Sequence, residues 1–174
     1  MSTSEIITSI ITTSTMTTSY NTKTNFEDVC DFNTQFGVKK IDTPCLADEP
    51  FIESKMALIR EEMSELEEAV KNKDLVETVD ALTDILYVVL GMGYGLNVNL
   101  DQAFKIVHES NMSKMCLTEE VAIQTVEWYK QNQSRYTTPT YRLNSAGNYV
   151  VYDEATGKIL KSIFYKPADL NYLF

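Results

Sequence analysis

A chain of 174 residues with 44% hydrophobic content is long enough for one domain with a real core and too short for two of ordinary size. Its formal charge of −10 excludes a general nucleic-acid binder, which needs a basic surface to displace counterions from phosphates. Cys30, Cys45 and Cys116 are odd in number and form no CxxC pair, so neither a disulfide framework nor a zinc site is indicated, and a reducing, cytoplasmic setting is expected.

Residues 1–24 are a run of Ser and Thr with scattered Ile. They lack the basic start and unbroken apolar core of a secretory signal, and a loosely ordered tail is expected there. Phe26, Val29, Phe32 and Phe36 then stand at helical spacing, with Gly37 as a stop. "KKIDTPCLADEP", bounded by Pro44 and Pro50, reads as a loop. A second helix is predicted over residues 51–71, its apolar stripe formed by Met56, Ile59, Met63, Leu66 and Val70. "KNKD" makes a turn, and a third helix begins near Asp74. Leu75, Val79, Leu82, Leu86 and Val89 form its stripe, Ile85, Val88 and Met92 widen it, and Gly91, Gly93 and Gly95 are expected to end it. Its apolar end, "ILYVVLGMGYGL", falls short of a membrane span.

A fourth helix follows, capped by Asn99 or Asp101 and burying Leu100, Phe104 and Val107. "TEEVAIQTVEWYKQN" predicts a fifth, with Val121, Ile123, Val126 and Trp128 as its apolar surface. "NYVVYDEATGKILKSIFY" reads as two β-rich runs around a turn ending in Gly157, a hairpin preceded by a connection that Pro139, Asn144 and Gly147 break up. The predicted class is all-α: an antiparallel helical bundle over residues 25–116, with an extra helix, a small C-terminal β-hairpin and a docking tail of the same domain over 117–174.

The second helix carries five glutamates within "LIREEMSELEEAV". Glu62 and Glu65 are three apart, and Glu61 and Glu65 four apart, so these carboxylates share a face bordering the apolar stripe. On the third helix Glu77 and Asp80 are three apart, with Asp84 one turn further. If the two faces meet, Glu62, Glu65, Glu77 and Asp80 make an all-oxygen cage of the kind that Mg²⁺ or Mn²⁺ takes. The alternative is a solvated acidic face, and for Glu67 and Glu68, which fall away from the common face, that is the better reading. Glu77, Asp80 and Asp84 sit in an otherwise apolar segment where carboxylates need a partner. Lys71 and Lys73 reach only some of them, so a metal is favoured over a network of ion pairs. A di-iron site, built on two Glu-x-x-His units, is disfavoured by the single histidine, His108.

"EEMSE" followed on the next helix by "ETVD" resembles the EExxE…ExxD signature of the all-α nucleoside triphosphate pyrophosphohydrolases, which include MazG-like enzymes, dimeric dUTPases and phosphoribosyl-ATP pyrophosphohydrolase. "FNTQFGV", "DALTDILYVVLGMGYGL", "VHESNMSK" and "GKILKSIFYKPADL" are similar to the phosphoribosyl-ATP pyrophosphohydrolase-like, or Cof-like, branch. The likeness covers roughly Phe26 to Cys116 and Gly157 to Leu170. The fifth helix with "SRYTTPTYRLNSAGNYVV" is longer than in the simplest members, and the Ser/Thr tail has no counterpart.

The resemblance implies that Glu62, Glu65, Glu77 and Asp80 are the Mg²⁺ ligands. Glu61 is then a further ligand or the base that deprotonates the attacking water, with Glu62 beside it in the catalytic pair and Asp84 an outer acid. Ser110, Asn111 and Lys114 would approach the substrate's phosphates. The implied enzyme converts a nucleoside triphosphate, with dUTP or a modified dNTP ahead of phosphoribosyl-ATP, to its monophosphate and pyrophosphate. It would work as a homodimer or homotetramer, with no nucleic-acid or membrane partner. Phe36, Tyr87 and Tyr94 are candidates for the base pocket and equally good core residues. The rival class is a catalytically silent helical module.

Overall fold

The computed structural model describes residues 23–46 and 49–174; the expected N-terminal tail lies almost wholly outside them. Helix α1, Asn25–Gln35, starts in a capping box: Thr24 Oγ1 accepts the Glu27 N–H at 3.2 Å, and the Glu27 carboxylate accepts the Thr24 N–H at 2.8 Å. It buries Phe26, Val29 and Asn33. Phe32 and Phe36, expected on that face, fall beside it and stay exposed, their rings stacked at 4.3 Å.

Helices α2, Glu49–Asn72, and α3, Leu75–Gly95, form an antiparallel hairpin. Lys73 takes a left-handed backbone conformation (φ 56°) in the turn. The Asp74 carboxylate then caps α3 by accepting the N–H groups of Val76 at 3.0 Å and Glu77 at 3.2 Å. The seam runs through buried Ala69 and Ala81, whose small side chains allow close approach, flanked by half-buried Ile59, Glu62, Leu66, Thr78, Asp84, Ile85 and Val88. The stripe expected to face the core lies one position round the helix. Leu75, Val79, Leu82, Leu86 and Val89 on α3 and Met63 and Val70 on α2 are exposed in the single chain, Leu82 by 51%. An α3 that is apolar over most of its circumference has more such surface than one hairpin covers.

Helix α3 runs through Gly91 and Gly93 and ends at Gly95, the last of the three glycines, with Leu96 as its cap. The glycines are contact points. A Cβ on Gly93 would stand 2.4 Å from Leu100 Cγ, and one on Gly95 2.1 Å from Phe51 Cζ. Helix α4, Leu100–Met112, is capped by Asn99, whose Oδ1 accepts the Gln102 N–H at 3.1 Å. Its Leu100 joins Phe26, Val29 and Leu90 in the first of two cores. Phe104 and Val107, expected to be buried, are exposed by 73% and 39%.

Helix α5, Glu119–Asn132, capped by Thr118, builds the second core: Ala122, Val126 and Tyr129 meet Cys116, Val151 and Leu160. Ile123 and Trp128 turn outward instead. The hairpin is there but shifted along the chain. Strands β1, Pro139–Leu143, and β2, Tyr149–Asp153, pair antiparallel, with Tyr141 opposite Val151. The residues read as interruptions are its parts. Pro139 opens the edge strand, where no ladder donor is needed. Asn144 Oδ1 accepts the N–H groups of Ala146 at 2.9 Å and Asn148 at 3.0 Å, and Gly147 (φ 80°) closes the turn. The run after Gly157, expected as the second strand, makes one isolated bridge, Tyr152 to Ile159. Among the described residues no helix is long and apolar enough to cross a membrane.

Candidate active site

The tight turn at Lys73 and Asp74 sets the register of the α2–α3 hairpin. Glu65 and Glu77 are centred on the same point of the chain as Glu62 and Asp80, so the two acidic pairs lie at successive levels above the turn. Glu65 and Glu77 line one cleft, together with Glu68, Ala69, Asn72 and Asp74. One level up, Glu62 is half-buried on the seam. Its carboxyl is pushed above the ordinary glutamate range, first by burial and then by the charges of Glu65, Asp84, Glu61 and Asp80. The two helices thus bring to one locality all the acids that spacing had singled out on them.

Among the described residues no ion pair reaches that locality. The described ion pairs are Lys23–Asp31 and Lys130–Glu127, and no hydrogen bond to the side chains of Glu61, Glu62, Glu65, Glu77, Asp80 or Asp84 occurs among the described residues. Lys71 and Lys73 pair with none of them. A set of hard oxygen donors, with Glu62 and Asp84 half-buried among like charges, fits a divalent cation. Among the described residues no three acidic, histidine or cysteine side chains are gathered closely enough to grip an ion as they stand. Bringing them onto one centre therefore takes rotation about glutamate side-chain bonds, which exposed Glu61, Glu65 and Glu77 are free to make.

Glu68, read from its spacing as falling away from the common face, lines the same cleft as Glu65 and Glu77, which corrects that reading, and Asn72 and Asp74, not singled out as site residues, line it too. Glu68 and Asn72 continue the Glu65 face at spacings of three and four, while Asp74 was visible only as a helix start. The end of α4 joins a different neighbourhood. Ser110, expected to face phosphates, is buried, and its hydroxyl donates to the Lys166 carbonyl at 2.8 Å and stands 3.1 Å from Tyr165 Oη. Its one proton is thereby engaged by the chain's own C-terminal segment. Lys114 Nζ donates to Asn111 Oδ1 at 2.7 Å, and neither residue lines the acidic cleft. His108 is exposed, its ring parallel to that of Phe104 at 6.3 Å. Of the base-pocket candidates, Tyr87 meets Phe32 edge-on at 5.6 Å, one helical turn beyond Asp84, and Phe36 stacks on that same Phe32. Tyr94 is half-buried near the Val38 carbonyl, under Lys40.

The helical hairpin with EExxE on one limb and ExxD on the other lies within a segment that matches the MazG-like superfamily of all-α nucleoside triphosphate pyrophosphohydrolases. Residues 29–111 match the phosphoribosyl-ATP pyrophosphohydrolase family, and the chain carries a domain of that family. It is accordingly an enzyme acting on phosphoanhydride bonds. All six acids lie inside the matched segment, whereas Lys114, α5, the β-hairpin and the C-terminal segment lie beyond it. An uncharacterized protein of Acanthamoeba polyphaga mimivirus is 27% identical over a 232-residue alignment that takes in 82% of this chain and 92% of the relative.

Proposed function

We propose that this pyrophosphohydrolase is Mg²⁺-dependent and cleaves a nucleoside or deoxynucleoside triphosphate, dUTP or a modified dNTP foremost, to the monophosphate and pyrophosphate. The observation that carries the reading is the cluster of carboxylates on α2 and α3, centred on half-buried Glu62, that no ion pair among the described residues reaches. Glu62, Glu65, Glu77 and Asp80 would hold Mg²⁺ (or Mn²⁺), which when bound neutralises phosphate charge and acidifies a coordinated water. Glu61, exposed next to Glu62, accepts the proton of the attacking water. Asp84, half-buried across the seam, serves as an outer acid of the site. Asn111 and Lys114 are kept as phosphate contacts, Lys114 as a point charge and Asn111 as an orienting amide. The base rests against the exposed aromatic surface of Phe36 and Tyr87.

A panel of NTPs and dNTPs, including dUTP, incubated with and without Mg²⁺ and read for released phosphates, tests this. Monophosphate plus pyrophosphate, dependent on the metal, is the expected result; free orthophosphate as the first product would overturn it. The description of the matched family favours a second reading, in which the substrate is phosphoribosyl-ATP, and the same panel with that compound decides between them. The enzyme works as a homodimer or homotetramer in which a second copy covers the exposed stripe of α3.

A further inference from the structure

We propose that the cleft between α5 and residues 161–165 is a second binding site, apart from the acidic hairpin, that takes a nucleoside monophosphate through its base and its phosphate. The proposal uses no residue of the carboxylate cluster and stands independently of the substrate reading above.

The cleft measures about 350 Å³, within the range of small-molecule sites. It is lined by Trp128, Tyr129, Lys161, Ser162, Ile163 and Tyr165, with no carboxylate among them. Trp128 is 43% exposed and meets Tyr129 edge-on at 5.1 Å. A tryptophan left out of both cores with ring surface facing a cleft offers a flat ligand a stacking platform.

The same cleft has a cation in its lining. Lys161 Nζ lies 4.2 Å from the centroid of the Tyr165 ring and has no acidic partner among the described residues. The Tyr165 hydroxyl is held below the ordinary tyrosine value by its hydrogen bond with Ser110 and by the charges of Lys161 and Lys114, which marks a local positive potential. This runs against the character of the whole chain. From Trp128 onward Lys130, Arg135, Arg142, Lys158, Lys161 and Lys166 outnumber Asp153, Glu154 and Asp169, although the protein as a whole carries −10.

The walls are also fixed in place. The Lys161 N–H donates to Tyr129 Oη at 3.0 Å, the Ile163 N–H to Thr125 Oγ1 at 3.3 Å, and the Tyr165 N–H to the Ser162 carbonyl at 2.9 Å. A segment with little regular secondary structure is thus held by side chains of α5 in a set conformation, the preorganisation that a binding site needs. An aromatic platform and an ammonium with no acidic partner among the described residues, lining one small cleft, match a ligand that joins a flat base to an anion.

Trp128 is the single tryptophan of the protein and the acidic cleft has none, so its fluorescence reports this site alone. The full chain is titrated in EDTA, without divalent metal, with a nucleoside monophosphate, with the matching nucleoside and with inorganic phosphate. Saturable quenching by the monophosphate is expected, roughly tenfold tighter than by the nucleoside. Exposed Lys161 is then changed: Lys161→Glu should abolish the response and Lys161→Arg should keep it, while metal-dependent pyrophosphohydrolase turnover persists in both. No saturable response at millimolar monophosphate overturns the site. A response to inorganic phosphate as tight as to the monophosphate overturns the nucleotide class, and wild-type binding by Lys161→Glu overturns the assignment of the cation. None of these outcomes bears on the acidic site, whose failure would show instead as absent turnover in the wild-type enzyme.

Discussion

Glu62 concentrates the tension of the fold in one residue, because it occupies a seam position that packing alone would give to an apolar side chain. Glu62→Gln removes a charge that burial and four neighbouring carboxylates oppose. The metal-free variant should therefore melt at a higher temperature than the wild type in calorimetry, while its turnover falls by more than about a hundredfold, as for loss of a metal contact. Glu65→Gln, at an exposed position, should lose activity as severely with an unchanged melting temperature. Full activity in either variant would remove the acidic cleft from the chemistry. Asp153 carries a different kind of acid. Buried at the end of β2, it accepts the Thr138 N–H at 3.0 Å and the Thr156 hydroxyl at 2.8 Å, and these bonds hold it below the ordinary aspartate range. A depressed folded-state value contributes stability that is complete above the unfolded-state value and disappears as the pH falls through the folded one. The melting temperature of Asp153→Asn should thus lie below the wild type at neutral pH, and the gap should close below about pH 4.

At the scale of elements, helices were easier to read than their packing. Periodicity placed five helices because each has apolar residues three and four apart, and capping side chains mark the starts of several of them, as at Asp74, Asn99 and Thr118. It did not tell which part of a broad apolar surface faces inward, since that choice follows from close approach at Ala69 and Ala81. The glycines of α3 illustrate the same limit. In sequence a Gly-x-Gly-x-Gly run reads as a helix end, while in the fold Gly93 is the gap that Leu100 fills. Gly93→Ala gains about 1 kcal/mol of helix propensity against overpacking of about 1–3 kcal/mol, and the closeness of the clash favours the larger figure. Its melting temperature should drop by a few degrees; a rise would mean that Leu100 moves aside freely. The β-hairpin was misplaced for a related reason: Asn144 and Gly147 look like interruptions until their hydrogen bonds and φ angle show them to be the turn itself.

For the whole molecule, two properties follow from surfaces that a single chain leaves unsatisfied. A cation bound only by the folded state raises stability by mass action, so the melting temperature should climb with Mg²⁺ concentration in the wild type and remain flat in Glu62→Gln. The exposed stripe of Leu75, Val79, Leu82, Leu86 and Val89 is apolar surface of the kind that a second copy covers. Light scattering should give a dimer or tetramer, and Leu82→Glu should reduce it to a monomer; a monomeric wild type would refute the assembly. The sequence by itself determined the helical class and the acids of the candidate site, because period, caps and i, i+3 carboxylate pairs are local properties of a helix, while the reaction class came with the resemblance of "EEMSE" and "ETVD" to a known family. Only the tertiary structure decided that Glu62 and Asp84 are the half-buried members, that Ser110 is engaged by the C-terminal segment, and that Trp128 and Lys161 share a cleft. Each of those facts depends on which surfaces meet, and residues distant along the chain become neighbours only when packing chooses one face over another.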